Sequence, residues 1–348
     1  VEIMRFILKF ITVTVFLLAT TSSYATHIMG GEITYEYLGG KKYEVSITIY
    51  RDCRGITLSS VPLGIRCTST GQTINTTPIR QSISEITPLC KSVPLRCNPQ
   101  NARSGEGIEK HIYAVTIDFD NAPYSPLYSC ASRLQFFSSI PARNGAINTG
   151  PQGTFYVETE IDLKKAPNNS SPTFSLDPIA LLCCNQPARL STNARDADGD
   201  SLSFDWTPPL RGPNQQLSYS GTNYAYDHPF MAFYPGTLRP PYNNINANPP
   251  IGIHLDQTTG DITFTPTRCD EVTVASLRAT EWRKNTSGIY EEISFVKRDV
   301  QVITKSCPDN NPPKVTSPLK HTFDINGCVQ NFSLIIDGGH MLDSFDKN

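Results

Sequence analysis

Residues 28–52, IMGGEITYEYLGGKKYEVSITIYRD, decide the fold class. Ile33, Tyr35 and Tyr37 alternate with Glu32, Thr34 and Glu36; past Gly39-Gly40, Tyr43, Val45, Ile47 and Ile49 alternate with Glu44, Ser46 and Thr48. A strand turns successive side chains to opposite faces, so a period of two on both sides of a Gly-Gly pair predicts a β-hairpin with one apolar face. The same period returns at Tyr113, Val115, Ile117 and Phe119, and at Phe155, Val157, Thr159 and Ile161. Later come Leu202, Phe204 and Trp206, then Ile251, Ile253 and Leu255, then the pairs Ile262/Phe264, Val272/Val274, Ile293/Phe295 and Val300/Val302. Short strands separated by turn residues predict an all-β chain of sandwich type. The 27 prolines among 348 residues agree with this, because proline breaks helix interiors.

Two stretches lack apolar periodicity and are dense in turn residues: KKAPNNSSP at 164–172 and CPDNNPP at 307–313. They divide the chain into an N-terminal β domain at 26–165, a second sandwich at 172–307, and a linker with the start of a further β module at 308–348. Within the second domain, residues 208–250 are rich in Asn, Pro, Gly and Tyr and read as a long loop. The expected fold is two disulfide-stapled Ig-like β-sandwich modules in tandem, with the start of a third. Tyrosines in the loop, Tyr224 and Tyr226 among them, either contact a ligand or fold back to cover the sandwich.

The N-terminus carries an address. Arg5 and Lys9 flank the start of an apolar run, residues 10–19, which is followed by small and polar residues up to Ala25. This is the pattern of a secretory signal peptide at 1–25, and the run is too short for a spanning helix. The mature chain is therefore expected outside the cell, with no transmembrane helix. An exported chain meets oxidising conditions, and the ten cysteines, Cys53, Cys67, Cys90, Cys97, Cys130, Cys183, Cys184, Cys269, Cys307 and Cys328, read as disulfides. No CxxC or histidine pair supports zinc. Loop closure makes Cys53 with Cys67, and Cys90 with Cys97, the entropically easiest pairs. Cys183 and Cys184 face opposite sides of a strand and are expected to take different partners.

A net charge of -2 with 18% charged residues offers no basic excess for phosphate neutralisation, which argues against nucleic acid as a partner. The sequence has no nucleophile elbow, phosphate loop or metalloprotease helix motif. The carboxylate pairs Asp118/Asp120 and Glu158/Glu160 each project to one face of a predicted strand, an ordinary arrangement on a solvated sheet. The densest chemistry is Asp196-Ala197-Asp198-Gly199-Asp200. Three carboxylates in five residues repel one another, and Ca²⁺ accepts an oxygen-only shell; a solvated turn explains the same residues. The EF-hand spacing is absent, since Thr207 stands where its bidentate glutamate belongs. Asp205, Asp256 and Asp261 are further candidate ligands.

The opening THIMGGEITYEYLGGKKYEVSITIYRDCRG, residues 26–55, resembles the start of large secreted surface proteins of the Bacteroidetes, which often carry a gliding-motility-associated C-terminal sorting domain. RDADGDSLSFDW at 195–206 and HLDQTTGDITFTP at 254–266 are similar to PKD-like and cadherin-like Ig-type repeats, and 281–307, with Arg298-Asp299, fits the closing strands of such a repeat. The resemblance implies type IX export across the outer membrane and a role in adhesion or surface scaffolding without catalysis, with a surface protein or glycan as partner. A carbohydrate-binding module, or the accessory segment of a secreted hydrolase, is the alternative.

Overall fold

The computed structural model describes residues 28–307 apart from 54, 56, 88–96, 98–106, 131–132, 142, 151–152, 179 and 222, together with the backbone of 334–336 and 340–342. The expected signal segment at 1–25, most of 308–348, and Cys90 and Cys328 lie outside the described residues.

The first half contributes β1 (Ile28–Gly39), β2 (Lys42–Asp52), β3 (Leu63–Cys67), β4 (Thr73–Thr76), β5 (Ile79–Glu85), β6 (Ile108–Asp118), β7 (Leu134–Ile140) and β8 (Phe155–Ile161). The second contributes β9 (Thr173–Phe174), β10 (Ala180–Cys183), β11 (Ala188–Leu190), β12 (Ala194–Arg195), β13 (Ser201–Trp206), β14 (Leu210–Gly212), β15 (Gln215–Gln216), β16 (Ile253–Leu255), β17 (Ile262–Phe264), β18 (Glu271–Lys284) and β19 (Tyr290–Lys305). A short hairpin, β20 (Leu334–Ile336) with β21 (His340–Leu342), follows. The chain is all-β: no α-helix occurs among the described residues, and none of their helices is long and apolar enough to cross a membrane.

The hairpin read from 28–52 is present. Ile33 pairs with Ile47, Tyr35 with Val45 and Tyr37 with Tyr43; Gly39, at φ 101°, pairs with Lys42, and the turn between them is Gly40, at φ 62°, and Lys41. The inward faces of β1, β2 and β6 meet those of β3, β7 and β8 in one core, where Ile33, Val45, Ile47, Phe136 and Phe155 are fully buried. Each such side chain contributes roughly 1.5–3 kcal/mol relative to an exposed one. A second core gathers Phe230, Ile262 and Phe264 against Ala275 and Leu277 of β18 and Val300 and Val302 of β19.

The long strand β19 ties the two halves together, and β14 adds a short pairing with β8. Along its whole length β19 pairs with β18, while its other edge is shared: Ser294–Val296 pair with β8, Arg298 and Asp299 with β1, and Val302–Lys305 with β10 in parallel. The first strand of the first half is therefore hydrogen-bonded to the last long strand of the second, and fourteen strands form one curled, mostly antiparallel sheet. Gly30 permits this contact, and Gly31 the close pairing of β1 with β2. A Cβ on Gly30 would lie 2.4 Å from the Asp299 carbonyl oxygen, and one on Gly31 would lie 2.5 Å from that of Thr48.

The residues at this crossing are ionic and buried. Arg298 donates from Nε to Glu32 Oε2 at 3.2 Å, and its Nη2 bonds the Leu176 carbonyl. The next residue, Asp299, accepts from Arg143 at 2.7 Å. Consecutive strand residues face opposite sides, so the Arg298-Asp299 pair anchors both faces of β19 at the point where the cores meet.

Four disulfides lie among the described residues: Cys53–Cys97, Cys67–Cys130, Cys183–Cys307 and Cys184–Cys269. Cys183 and Cys184 take different partners, as strand geometry requires. The pairing of Cys53 with Cys67 and of Cys90 with Cys97 is overturned, because Cys53 and Cys97 join each other and Cys67 joins Cys130. Loop entropy was too weak a guide. Lengthening a closed loop from about 14 residues to the 63 separating Cys67 from Cys130 costs only about 1.3 kcal/mol, less than strand placement decides.

Candidate functional sites

The acidic loop lies where the two halves touch. Asp196 Oδ1 accepts the backbone N–H groups of Asp198 and Asp200 at 3.0 and 2.7 Å, which folds the loop as a turn, with Gly199 at φ 83°. Asp198 accepts the N–H of Ser170 at 2.7 Å, and its Oδ2 lies 3.8 Å from Arg283 Nη2. In place of Asp198, the third carboxylate near Asp196 and Asp200 is Glu281 of β18, and oxygens of the three lie within 4.8 Å of one another.

Glu281 is fully buried. Burial above all, and then the hydrogen bond to Asp196, raise its carboxyl from 4.5 to about 9, so it carries a proton at neutral pH. Asp196 Oδ2 is buried without a donor from the rest of the protein, and the protonated Glu281 carboxyl is the group that suits it. The remaining sides of the cluster face donors. Arg283 grips Asp200 through Nε at 2.8 Å and Nη2 at 2.5 Å, while Asn169 Nδ2 lies 3.2 and 3.1 Å from the two Glu281 oxygens. Calcium needs six to eight oxygen ligands and ionised carboxylates, so here it competes with a proton, an amide and a guanidinium.

Asn169 belongs to the segment read as a linker, whose C-terminal part, from Asn169 to Pro172, is packed against the protein. Asn169 is fully buried, also reaches Tyr35 Oη at 3.2 Å, and accepts from Arg283 at 2.5 Å. Ser171 and Ser170 accept the N–H groups of Tyr35 and Tyr37 through their hydroxyls at 2.9 and 3.2 Å. NNSS thus runs along β1 and connects the first core to the acid cluster of the second half.

The other expected ligands do not join this cluster. Asp261 is paired with Arg189, Asp256 caps the N–H groups of Thr258 and Thr259, and Asp205 is exposed near the end of β13. The strand carboxylates are also engaged: Asp118 and Asp120 with Lys42 and Lys41, and Glu158 and Glu160 with Gln135 at 3.0 Å each.

A second feature is an open cleft of about 220 Å³ beneath the 208–250 segment. Its apolar side is made by Trp206, Tyr234, Ile253, Leu255 and the Pro240-Pro241 pair. Trp206 is held edge-to-face against Phe230 at 6.3 Å, and Phe230 stacks on Phe264 at 4.8 Å, so the indole is braced from the second core. Asp205, Asp227, His228, Asn243, His254 and Gln257 supply the polar rim. Asp227 is fixed to its neighbour, with its Oδ1 2.7 Å from His228 Nδ1.

Neither tyrosine singled out in the sequence borders this cleft. Tyr224 donates to Glu271 Oε1 at 2.7 Å, and burial raises its hydroxyl to about 12. Tyr226 is exposed. Parts of the loop fold back and parts stay exposed: burial also raises Tyr219 and Tyr234 packs on the second core, whereas Tyr242 is exposed like Tyr226. Sequence reasoning missed Glu281, although a signal existed, since it stands in phase with Leu277 and Ala279, where an apolar residue is expected. It also missed the cleft, whose walls come from segments about 50 residues apart.

No family model matches the chain, and no curated protein is similar to it.

Proposed function

We propose that this chain is a secreted, non-catalytic surface protein that acts by adhesion or scaffolding, as two Ig-like sandwiches held in one stiff body. The observation that carries this reading is the pinned junction. The end of a segment with the composition of a flexible linker, Asn169 to Ser171, packs along β1 and is bound to Asp198, Glu281 and Arg283, while β19 pairs with strands of both halves. A protein that transmits load or sets a spacing needs such joints, because each freely rotating linker would spread its end-to-end distance. Among the described residues four disulfides close loops of 44 to 124 residues, and this cross-linking suits an oxidising compartment outside the cell.

Membership of the Bacteroidetes surface-protein class, with export by the type IX route, rests on the residues quoted above. Calcium is part of the proposal as a further stiffening agent at Asp196, Asp200 and Glu281, binding once Glu281 gives up its proton. The test is attachment. Beads coated with residues 26–348 are expected to adhere to the surface of the producing cells under flow, and to release neither sugar nor peptide from polysaccharide or protein substrates. Failure to adhere, or turnover of any of these substrates, would defeat the reading.

A further inference from the structure

We propose that the cleft between Trp206, Tyr234 and Asn243 is a saccharide site that takes one uncharged or amino-bearing sugar ring at the end of a glycan. The proposal deepens the adhesive reading by naming the chemistry of the partner, and it rests on that reading.

The cleft's mixed chemistry carries the argument. Trp206, Tyr234, Ile253 and Leu255 bring apolar surface to it, and the other lining residues bring amides, carboxylates and imidazoles. A sugar ring has the matching asymmetry, with C–H groups on its faces for an aromatic wall and hydroxyls around its edge for polar partners. Asn243 and Gln257 each present both donors and an acceptor, which suits hydroxyls that do both.

Size narrows the ligand. At about 220 Å³ the cleft is smaller than the roughly 300–1,000 Å³ typical of drug-sized sites, so it fits one ring and leaves the remaining chain in solvent. Charge narrows it again. Asp205 and Asp227 stand on the rim, and no lysine or arginine borders the cleft among the described residues. A uronate or sialate carboxylate would meet two carboxylates with no lysine or arginine to receive it, whereas a hydroxyl or an ammonium finds acceptors. The wall is preformed, because Trp206 is braced by Phe230 and Phe264, so binding need not order it.

The experiment uses the chain from residue 26 to 348 on an array of glycans ending in mannose, galactose, glucose, N-acetylglucosamine, glucosamine, glucuronate or sialate. Binding is expected to one or more uncharged or amino-bearing ends and to neither acidic end. Asn243 and Gln257 are exposed, so Asn243→Ala with Gln257→Ala should leave the thermal midpoint unchanged while weakening binding by about tenfold or more, the loss of one or two hydrogen bonds. Asp205→Asn with Asp227→Asn should admit the acidic ends. Binding to no glycan, to acidic ends alone, or equally by the Asn243/Gln257 variant would overturn the assignment. Adhesion that persists in that variant, or after enzymatic removal of glycans from the target cells, would also overturn it while leaving the adhesive reading in place.

Discussion

The first core and the second solve the same packing problem with different material. Around the first, β1, β2 and β6 run 11 or 12 residues each, their alternation is regular, and a single cluster of aliphatic and aromatic side chains fills the space between the sheets. The second rests on three-residue strands, β11, β16 and β17, set against the long β18–β19 ribbon and completed by loop residues Phe230 and Ala232. Both candidate sites, the acid cluster and the cleft, fall in the second. Long paired strands satisfy their own backbone and leave little to bind with, whereas short strands end in loops whose side chains are free to converge.

The sharpest way to break this comparison is to cut the element both regions share. Gly30→Val places a side chain against the Asp299 carbonyl, where no strand of the β1–β19 pair has room to move aside. A loss of more than about 4 kcal/mol is expected, with both cores melting together in a calorimetric scan. If hydrogen exchange showed the second core still protected, the two regions would be independent units that merely touch.

Next in size is the ionic crossing. Arg143→Ala strands the Asp299 carboxylate, which is buried and whose pKa that burial already raises, and should lower stability by about 3–5 kcal/mol in urea titration. At the linker, Arg283→Ala removes a guanidinium whose side chain is 33% exposed, and the expected loss there is about 1 kcal/mol. Comparable losses would mean that the junction carries as much of the fold as β19 does. Between these two lies the covalent tie: changing Cys183 and Cys307 together to serine should cost about 2–4 kcal/mol and act mainly on the second region, since the first has its own bridges.

The same contrast explains what could be read from the sequence. The hairpin's two alternating arms, 32–37 and 43–49, were legible, because a period of two around a glycine turn is a local property that tertiary contacts had no reason to override. The β1–β19 pairing was not, since it joins residues more than 260 positions apart, and its only local trace is the Gly30-Gly31 pair, which composition alone would assign to a turn. The stretch KKAPNNSSP misled for a related reason. Asn and Ser favour turns by bonding nearby backbone, and here the same side chains bond the backbone of β1 instead. At the acid cluster Asp196 and Asp200 were visible as a run, but Glu281 lies 81 residues beyond Asp200, and only the fold brings it there.

Glu281 supplies the finest probe of the difference, because it is a fully buried carboxyl of the second half whose proton is held by that burial. Its carboxyl is protonated in the folded chain up to about pH 9 and loses its proton near 4.5 when the chain unfolds. Between those values the folded state binds one more proton than the unfolded state, so stability falls as pH rises, by at most about 1.4 kcal/mol per pH unit for this one group. The stabilisation is complete below 4.5 and spent above 9. Glu281→Gln keeps a neutral, hydrogen-bonding side chain beside Asp196 without the proton, and its thermal midpoint should flatten across that window relative to the parent chain. Calcium acts in the opposite sense, since it needs the ionised carboxyl: any rise in midpoint on adding calcium should be larger at pH 9 than at pH 6 and should vanish in Glu281→Gln. A slope that survives the substitution would move the titrating group elsewhere, and a calcium effect that survives it would return the ion to the Asp196–Asp200 loop alone.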